Sequence, residues 1–301
     1  MLLSIIYELA ECGKILFVEK SRSIGYDREN FCGSAAMNRN QLKYLAALAM
    51  LFDHLGYIFI SIRTPFGLFC RIFGRLTAPI MCYFLAEGFH YTSSKKKYLL
   101  RLGIFALIAQ PAYSMAFHGV WIGKDLSMLY TLFLSFLMLC AWEGLENPWL
   151  KWPAVLGLIA LCHFGDWTCV APLWVLGFYL FRGQPKKQFA VFVLVVLGFT
   201  AEELLSSWSA LAPGGLAALP SLFSSGELSA LLRYYTNWRF NFVQLATLLA
   251  IPLLLCYNGQ KGRGGAFNKW FFYVFYPAHL YFFAYLKTRP ELVRRLLSFI
   301  S

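Results

Sequence analysis

The segment Leu42–Ile62, LKYLAALAMLFDHLGYIFISI, is apolar for most of its length and is interrupted near its middle by Asp53 and His54. As a helix rising about 1.5 Å per residue, it is long enough to cross a hydrocarbon core of roughly 30 Å. Further apolar runs follow at about 66–91, 97–117, 126–142, 152–163, 167–181, 188–205, 239–257 and 270–286. The expected fold is therefore all-α: a polytopic integral membrane protein of about nine transmembrane helices. Composition agrees, because 59% of the residues are hydrophobic and only 14% are charged, against about 25% charged in soluble domains. A soluble core has no room for that much apolar surface, whereas lipid faces it directly.

The net charge of +12 resides in short basic clusters between the apolar runs. That is the pattern of cytoplasmic loops and lipid headgroup contact, and nothing suggests a nucleic-acid module. Lys95–Lys97 with Arg101, then Arg182, Lys186 and Lys187, then Lys261, Arg263 and Lys269 recur in every second loop. The positive-inside rule places those loops, with Lys151, in the cytoplasm. An odd number of spans puts the C-terminus outside, although Lys287, Arg289, Arg294 and Arg295 oppose that.

Residues 1–36 mix charges with short apolar stretches, lack the layout of a signal peptide, and read as a weakly ordered tail or an over-long start. Residues 37–290 form the transmembrane domain and 291–301 a short basic tail. The segment 206–238 reads as a long loop holding one or two amphipathic helices. The eight cysteines contain no C-x-x-C and no zinc spacing with histidine, so neither a metal site nor a disulfide framework is expected.

A central Asp costs roughly 2.5–3.5 kcal/mol on insertion scales, so such a residue faces a polar cavity or a partner. Asp53 and His54 either serve chemistry or act as a packing pair between helices. As neighbours on a helix they point about 100° apart, and at most one faces any given cavity squarely. His279, behind Pro277 in the last run, is at similar depth. Two such histidines and an aspartate suit proton transfer, with a neutral imidazole as base and a carboxylate to orient it. Arg71 and Arg75 share one face at the start of the second run, which closes with Glu87 and His90. Asp53 and Glu87 are candidate partners for these arginines. In the loop Tyr257–Lys269, Asn258-Gly259 marks a turn, and Lys261, Arg263 and Lys269 supply charge. The loop suits either the phosphates of a nucleotide-bearing cofactor or a positive-inside anchor.

The stretches LKYLAALAMLFDHLGYIF, IFGRLTAPIMCYFLAEGFHYTSSKKKYLLRLGIFALIAQPAY, FGDWTCVAPLWVLGFYLFR and QLATLLAIPLLLCYNGQKGRGGAFNKWFFYVFYPAHL resemble the TraX family. Its members are integral membrane proteins associated with conjugative transfer and with N-terminal acetylation of pilin. The ordered set D-H-x-G, G-R-L-x-x-P, L-A-E-G, Y-N-G-x-x-G and F-Y-P-x-H-L carries the resemblance. It implies a bacterial inner-membrane acyltransferase using acetyl-CoA, with a pilin or a small amine or hydroxyl compound as acceptor. Asp53, His54, Arg75, Glu87 and His279 fall in matching motifs as candidate catalytic residues. Asn258 and Gly259, with Lys261, Arg263 and Lys269 nearby, are the candidate cofactor-binding residues. The rival readings are a transporter or export component whose midplane charges form a substrate path, and a non-catalytic scaffold of a transfer apparatus.

Overall fold

The computed structural model describes residues 36–211 and 242–297, which are helical with no strands among them. Most of the expected N-terminal tail and most of the 206–238 loop lie outside the described residues. Helix α1 (Arg39–Phe59) begins where Asn38 accepts from Gln41 N at 3.0 Å and Gln41 Oε1 accepts from Asn38 N at 2.8 Å. This reciprocal capping satisfies two donors that the first turn otherwise leaves bare.

The run expected at 66–91 divides into α2 (Pro65–Gly74) and α3 (Thr77–Tyr91), with the break at Arg75–Leu76. Pro79 explains the position, because it has no N–H to offer the carbonyl of residue 75. Helix α4 (Lys95–His118) is capped by Ser94 and stopped by Gly119 at φ 74°, a left-handed conformation that glycine adopts cheaply. There follow α5 (Met128–Gly144), α6 (Pro148–Leu161), α7 (Val170–Leu180) and α8 (Pro185–Leu211). The 239–257 run folds as a 3₁₀ segment, Val243–Leu249, leading into α9 (Ala250–Leu255). Helix α10 (Ala266–Lys287) contains Pro277, and α11 (Pro290–Leu297) makes much of the expected basic tail helical.

Among the described residues four helical stretches are long and apolar enough to cross a membrane: Arg39–Phe59, Pro65–Tyr91 (α2 and α3 together), Lys95–His118 and Pro185–Ser206. Shorter apolar helices, Met128–Gly144, Val170–Leu180 and Val243–Leu255, accompany them. The core is rich in aromatics, with Phe84, Phe89, Phe136, Trp174, Phe178 and Phe192 fully buried between α3, α5, α7 and α8. The periphery is apolar as well: Leu107 is 77% exposed and Trp149 87%, as expected where the surrounding medium is lipid and its interface.

The helix ends gather in two sets. At one end Lys95 pairs with Glu143, Arg182 donates to Tyr91 Oη at 2.8 Å, and Asn40 donates to the Arg263 carbonyl at 2.8 Å. These residues belong to the alternate basic loops. At the other end Lys287 donates to the Ala116 carbonyl at 3.1 Å, and Leu126 bridges to Gly165. Cys70, Cys82, Cys140, Cys162 and Cys169 are free thiols, whereas Cys256 is disulfide-bonded. No cluster of metal-binding side chains occurs among the described residues.

Candidate functional site

Asp53 and His54 leave α1 in different directions and enter two different networks. His54 turns to α10. Its Nδ1 lies 2.7 Å from His279 Nε2, and His279 Nδ1 lies 2.7 Å from the Phe275 carbonyl oxygen. A carbonyl only accepts, so His279 Nδ1 carries a proton and donates it there. In the neutral ring His279 Nε2 is then the acceptor, and His54 Nδ1 donates to it. One ring atom of the pair, His54 Nε2, keeps a free lone pair. Both histidines are buried, with Phe117 and Tyr276 standing edge-on to His54.

Asp53 turns to α2. Its Oδ1 accepts from Arg71 Nη1 at 2.6 Å and from Arg75 Nη2 at 3.3 Å. Gly74 makes this approach possible, since a Cβ there would stand 2.2 Å from the Asp53 Cβ. Arg75 Nη1 donates to Gln244 Oε1 at 3.3 Å, while its Nε is buried with no hydrogen-bond partner. The Arg75 guanidinium lies 5.1 Å over the Trp167 ring, and the Arg71 guanidinium 5.0 Å over Tyr57. Trp167 and Thr168 have φ of 63° and 36°. Two non-glycine residues in the left-handed region store strain of the kind found at ligand clamps and active sites. Asp166, in the loop before them, has its carboxyl pushed up to about 6 by burial, against the pull of Arg75.

Two expectations are corrected by this geometry. Asp53 holds the arginines and makes no hydrogen bond to His54, so the residue that orients His54 is His279. Glu87 does not join Arg71 or Arg75. It lies twelve residues beyond Arg75, about 18 Å along α3, where its Oε2 accepts from Tyr257 Oη at 3.0 Å. Gln244 reaches the site from a separate segment and Asp166 from the loop before α7; the sequence reading assigned neither of them to it.

The glycine-rich loop is tied to the start of α1. Met37 N donates to the Cys256 carbonyl at 2.8 Å, Asn258 N to the Met37 carbonyl at 3.0 Å, and Arg39 N to the Gln260 carbonyl at 2.9 Å. Above it opens a polar pocket of about 400 Å³ lined by Arg39, Lys43, Tyr98, Arg101, Lys261 and Asn268, among others. Arg101 Nε is buried there without a hydrogen-bond partner. Of the five residues expected to hold a cofactor, Lys261 lines this pocket. Asn258 and Gly259 shape the turn, with Gly259 at φ 76°. Arg263 contributes its carbonyl to Asn40 and Asn268, and the side chain of Lys269 lies outside the described residues. Arg39, Lys43 and Arg101 are cations that the sequence reading did not assign to a site.

The family model for the TraX protein matches residues 38–287. The chain belongs to the TraX family. The match covers both histidines, both arginines and the basic pocket of this TraX chain. It is 30% identical over 251 residues to the probable fimbrial assembly protein FimC, serogroup H1, of Dichelobacter nodosus, covering 80% of the TraX chain and 91% of that relative. No solved structure matches it. Together with its apolar helices, these likenesses make it a bacterial membrane protein.

Proposed function

We propose that this TraX protein is an inner-membrane acyltransferase that moves an acetyl group from acetyl-CoA to an amine or hydroxyl, with a pilin as acceptor. The observation that carries the reading is the His54–His279 pair, which leaves a single unprotonated imidazole nitrogen one residue along α1 from the carboxylate that holds Arg71 and Arg75. The fimbrial assembly relative favours the pilin acceptor. We also propose that the three shorter apolar helices, together with α6 and α10, cross the membrane with the four long ones, in a nine-span arrangement with the basic pocket in the cytoplasm. Helix α5, for example, matches the lower limit of about 17 residues for a span.

The basic pocket fits the phosphates of coenzyme A: four cations converge on it, and a buried guanidinium N–H there lacks an acceptor. Bound, acetyl-CoA supplies the acetyl group as an activated thioester. His54 Nε2 takes the proton of the acceptor amine or hydroxyl as that atom bonds to the acetyl carbon, and returns it to the departing thiolate. His279 holds the imidazole in the required tautomer. Arg71 and Arg75, fixed by Asp53, face the negative charge that develops on oxygen.

Full-length protein in nanodiscs tests this. It is expected to bind radiolabelled acetyl-CoA with an affinity that falls as salt rises, and to acetylate a pilin N-terminal peptide. His54→Gln is expected to retain binding while transfer drops roughly 10²–10⁴-fold. Folded protein that binds no acetyl-CoA at low salt would overturn the reading in favour of a transporter or scaffold.

A further inference from the structure

A cleft outside the candidate site runs along the outer surface between α4 and α5. It holds about 670 Å³, with Gly103 and Phe133 in its lining and Lys96 and Gln110 at its two ends. Its floor is set by a close approach of the helices, since a Cβ on Gly103 would stand 3.2 Å from the Phe133 ring. Its rim is apolar and open: Leu100 is 63% exposed and Leu107 77%. Fourteen residues separate Lys96 from Gln110, about 21 Å along α4. One leaflet of a hydrocarbon core is about 15 Å deep, so the cleft accommodates the full depth of a single acyl chain.

We infer that this cleft is a binding site for one anionic phospholipid, its acyl chain lying between α4 and α5 and its phosphate against Lys96 and Lys97. An acyl chain already surrounded by lipid gains little hydrophobic energy on entering, so selectivity has to come from the headgroup. Charge supplies it. Lys96 and Lys97 are exposed at the basic end, whereas Lys95 is engaged with Glu143. Two lysines at the membrane surface correspond to about a 30-fold preference for an anionic over a zwitterionic headgroup, taking roughly 1 kcal/mol for each. Gln110 at the far end is satisfied by Ser114, the Asp125 carbonyl and Ser127 N. It therefore closes the cleft without demanding a polar group from the chain.

The test uses full-length protein in nanodiscs containing phosphatidylglycerol or phosphatidylcholine with a photoactivatable group in mid-chain. Crosslinks are expected on peptides spanning 99–107 and 130–133, at least tenfold more with phosphatidylglycerol. The double variant Lys96→Gln/Lys97→Gln, altered only at exposed positions, is expected to bring the two lipids to parity without moving the crosslinks. Ile104→Trp, which fills the cleft from its half-exposed rim, is expected to abolish crosslinking of both. Equal labelling by the two lipids in the unaltered protein, or the same preference spread around the bundle, would overturn the site.

Discussion

Gly74→Ala is the sharpest test of how α1 and α2 are held together. The new methyl carbon would stand 2.2 Å from the Asp53 Cβ and 2.5 Å from its Cγ and Oδ1. Carbon atoms at rest lie about 3.5–4.0 Å apart, so the shortfall is about 1.5 Å. Neither contact is the end of a long flexible side chain, and the helices have to separate. Overpacking of this kind costs about 1–3 kcal/mol. Separation also stretches the 2.6 Å Arg71–Asp53 bond, a charge-assisted hydrogen bond of about 1.5–3 kcal/mol. Alanine in place of glycine returns at most about 1 kcal/mol of helix propensity, leaving a net loss of about 2 kcal/mol or more. For a chain of 301 residues that corresponds to a fall in unfolding temperature of roughly 3 °C or more, read by fluorescence-detected size exclusion after heating. Gly157→Ala, at a helical site where an added Cβ meets nothing within 4 Å, is the control and is expected to unfold at the same temperature or higher. If Gly74→Ala behaves like Gly157→Ala, α1 and α2 do not close on each other at Asp53, and the account of the arginine pair fails with them.

Asp53→Asn leaves the buried Arg75 and the largely buried Arg71 without their carboxylate, and is expected to cost about 3–5 kcal/mol; near-normal stability in the same thermal assay would refute the pairing. Cysteine-accessibility probes at Lys96, Lys186 and Arg263 are expected to report the cytoplasm, and one at Lys124 the opposite side; two probes on the wrong faces would reverse the orientation. Asp166 has a folded-state carboxyl raised to about 6 from its ordinary value of 3.8, so between those values the folded state binds a proton that the unfolded state lacks. Stability from this group is therefore greatest at low pH and declines as pH rises toward 6. Asp166→Asn is expected to unfold at a higher temperature than the parent at pH 7 and at a similar temperature near pH 4, and a gap that persists at pH 4 would refute the assignment. Lys43→Gln and Lys261→Gln are each expected to weaken acetyl-CoA binding about tenfold and flatten its salt dependence; unchanged affinity in a binding titration would move the phosphate site elsewhere.

Helix α1 was legible because an apolar run of that length has few alternatives in a bilayer. The opposite facing of Asp53 and His54 followed from the angle between neighbours on a helix, and the Asp53–Arg71 pair from the cost of a lone charge in lipid. The break at Arg75–Leu76 was hidden inside one apolar run, although Pro79 marks it in retrospect. The 3₁₀ path of Val243–Leu249 carries no such mark, because the tighter turn presents the same apolar composition. The His54–His279 contact joins residues 225 positions apart, and no local periodicity reports which helices become neighbours. The basic pocket was obscure for the same reason. Arg39 and Lys43 share one face of α1, but only packing brings Arg101 and Lys261 to them.

Helix α1 lines the basic pocket through Arg39 and Lys43 and carries His54 eleven residues further on, about 16 Å away. A continuous helix has a fixed rise per residue, so it acts as a ruler between the two places. Its upper end is clasped by the loop at 256–260; its lower end is clamped to α2 at Gly74. The spacing between the pocket's cations and the imidazole is therefore written into the length of one helix rather than into the shape of a cavity.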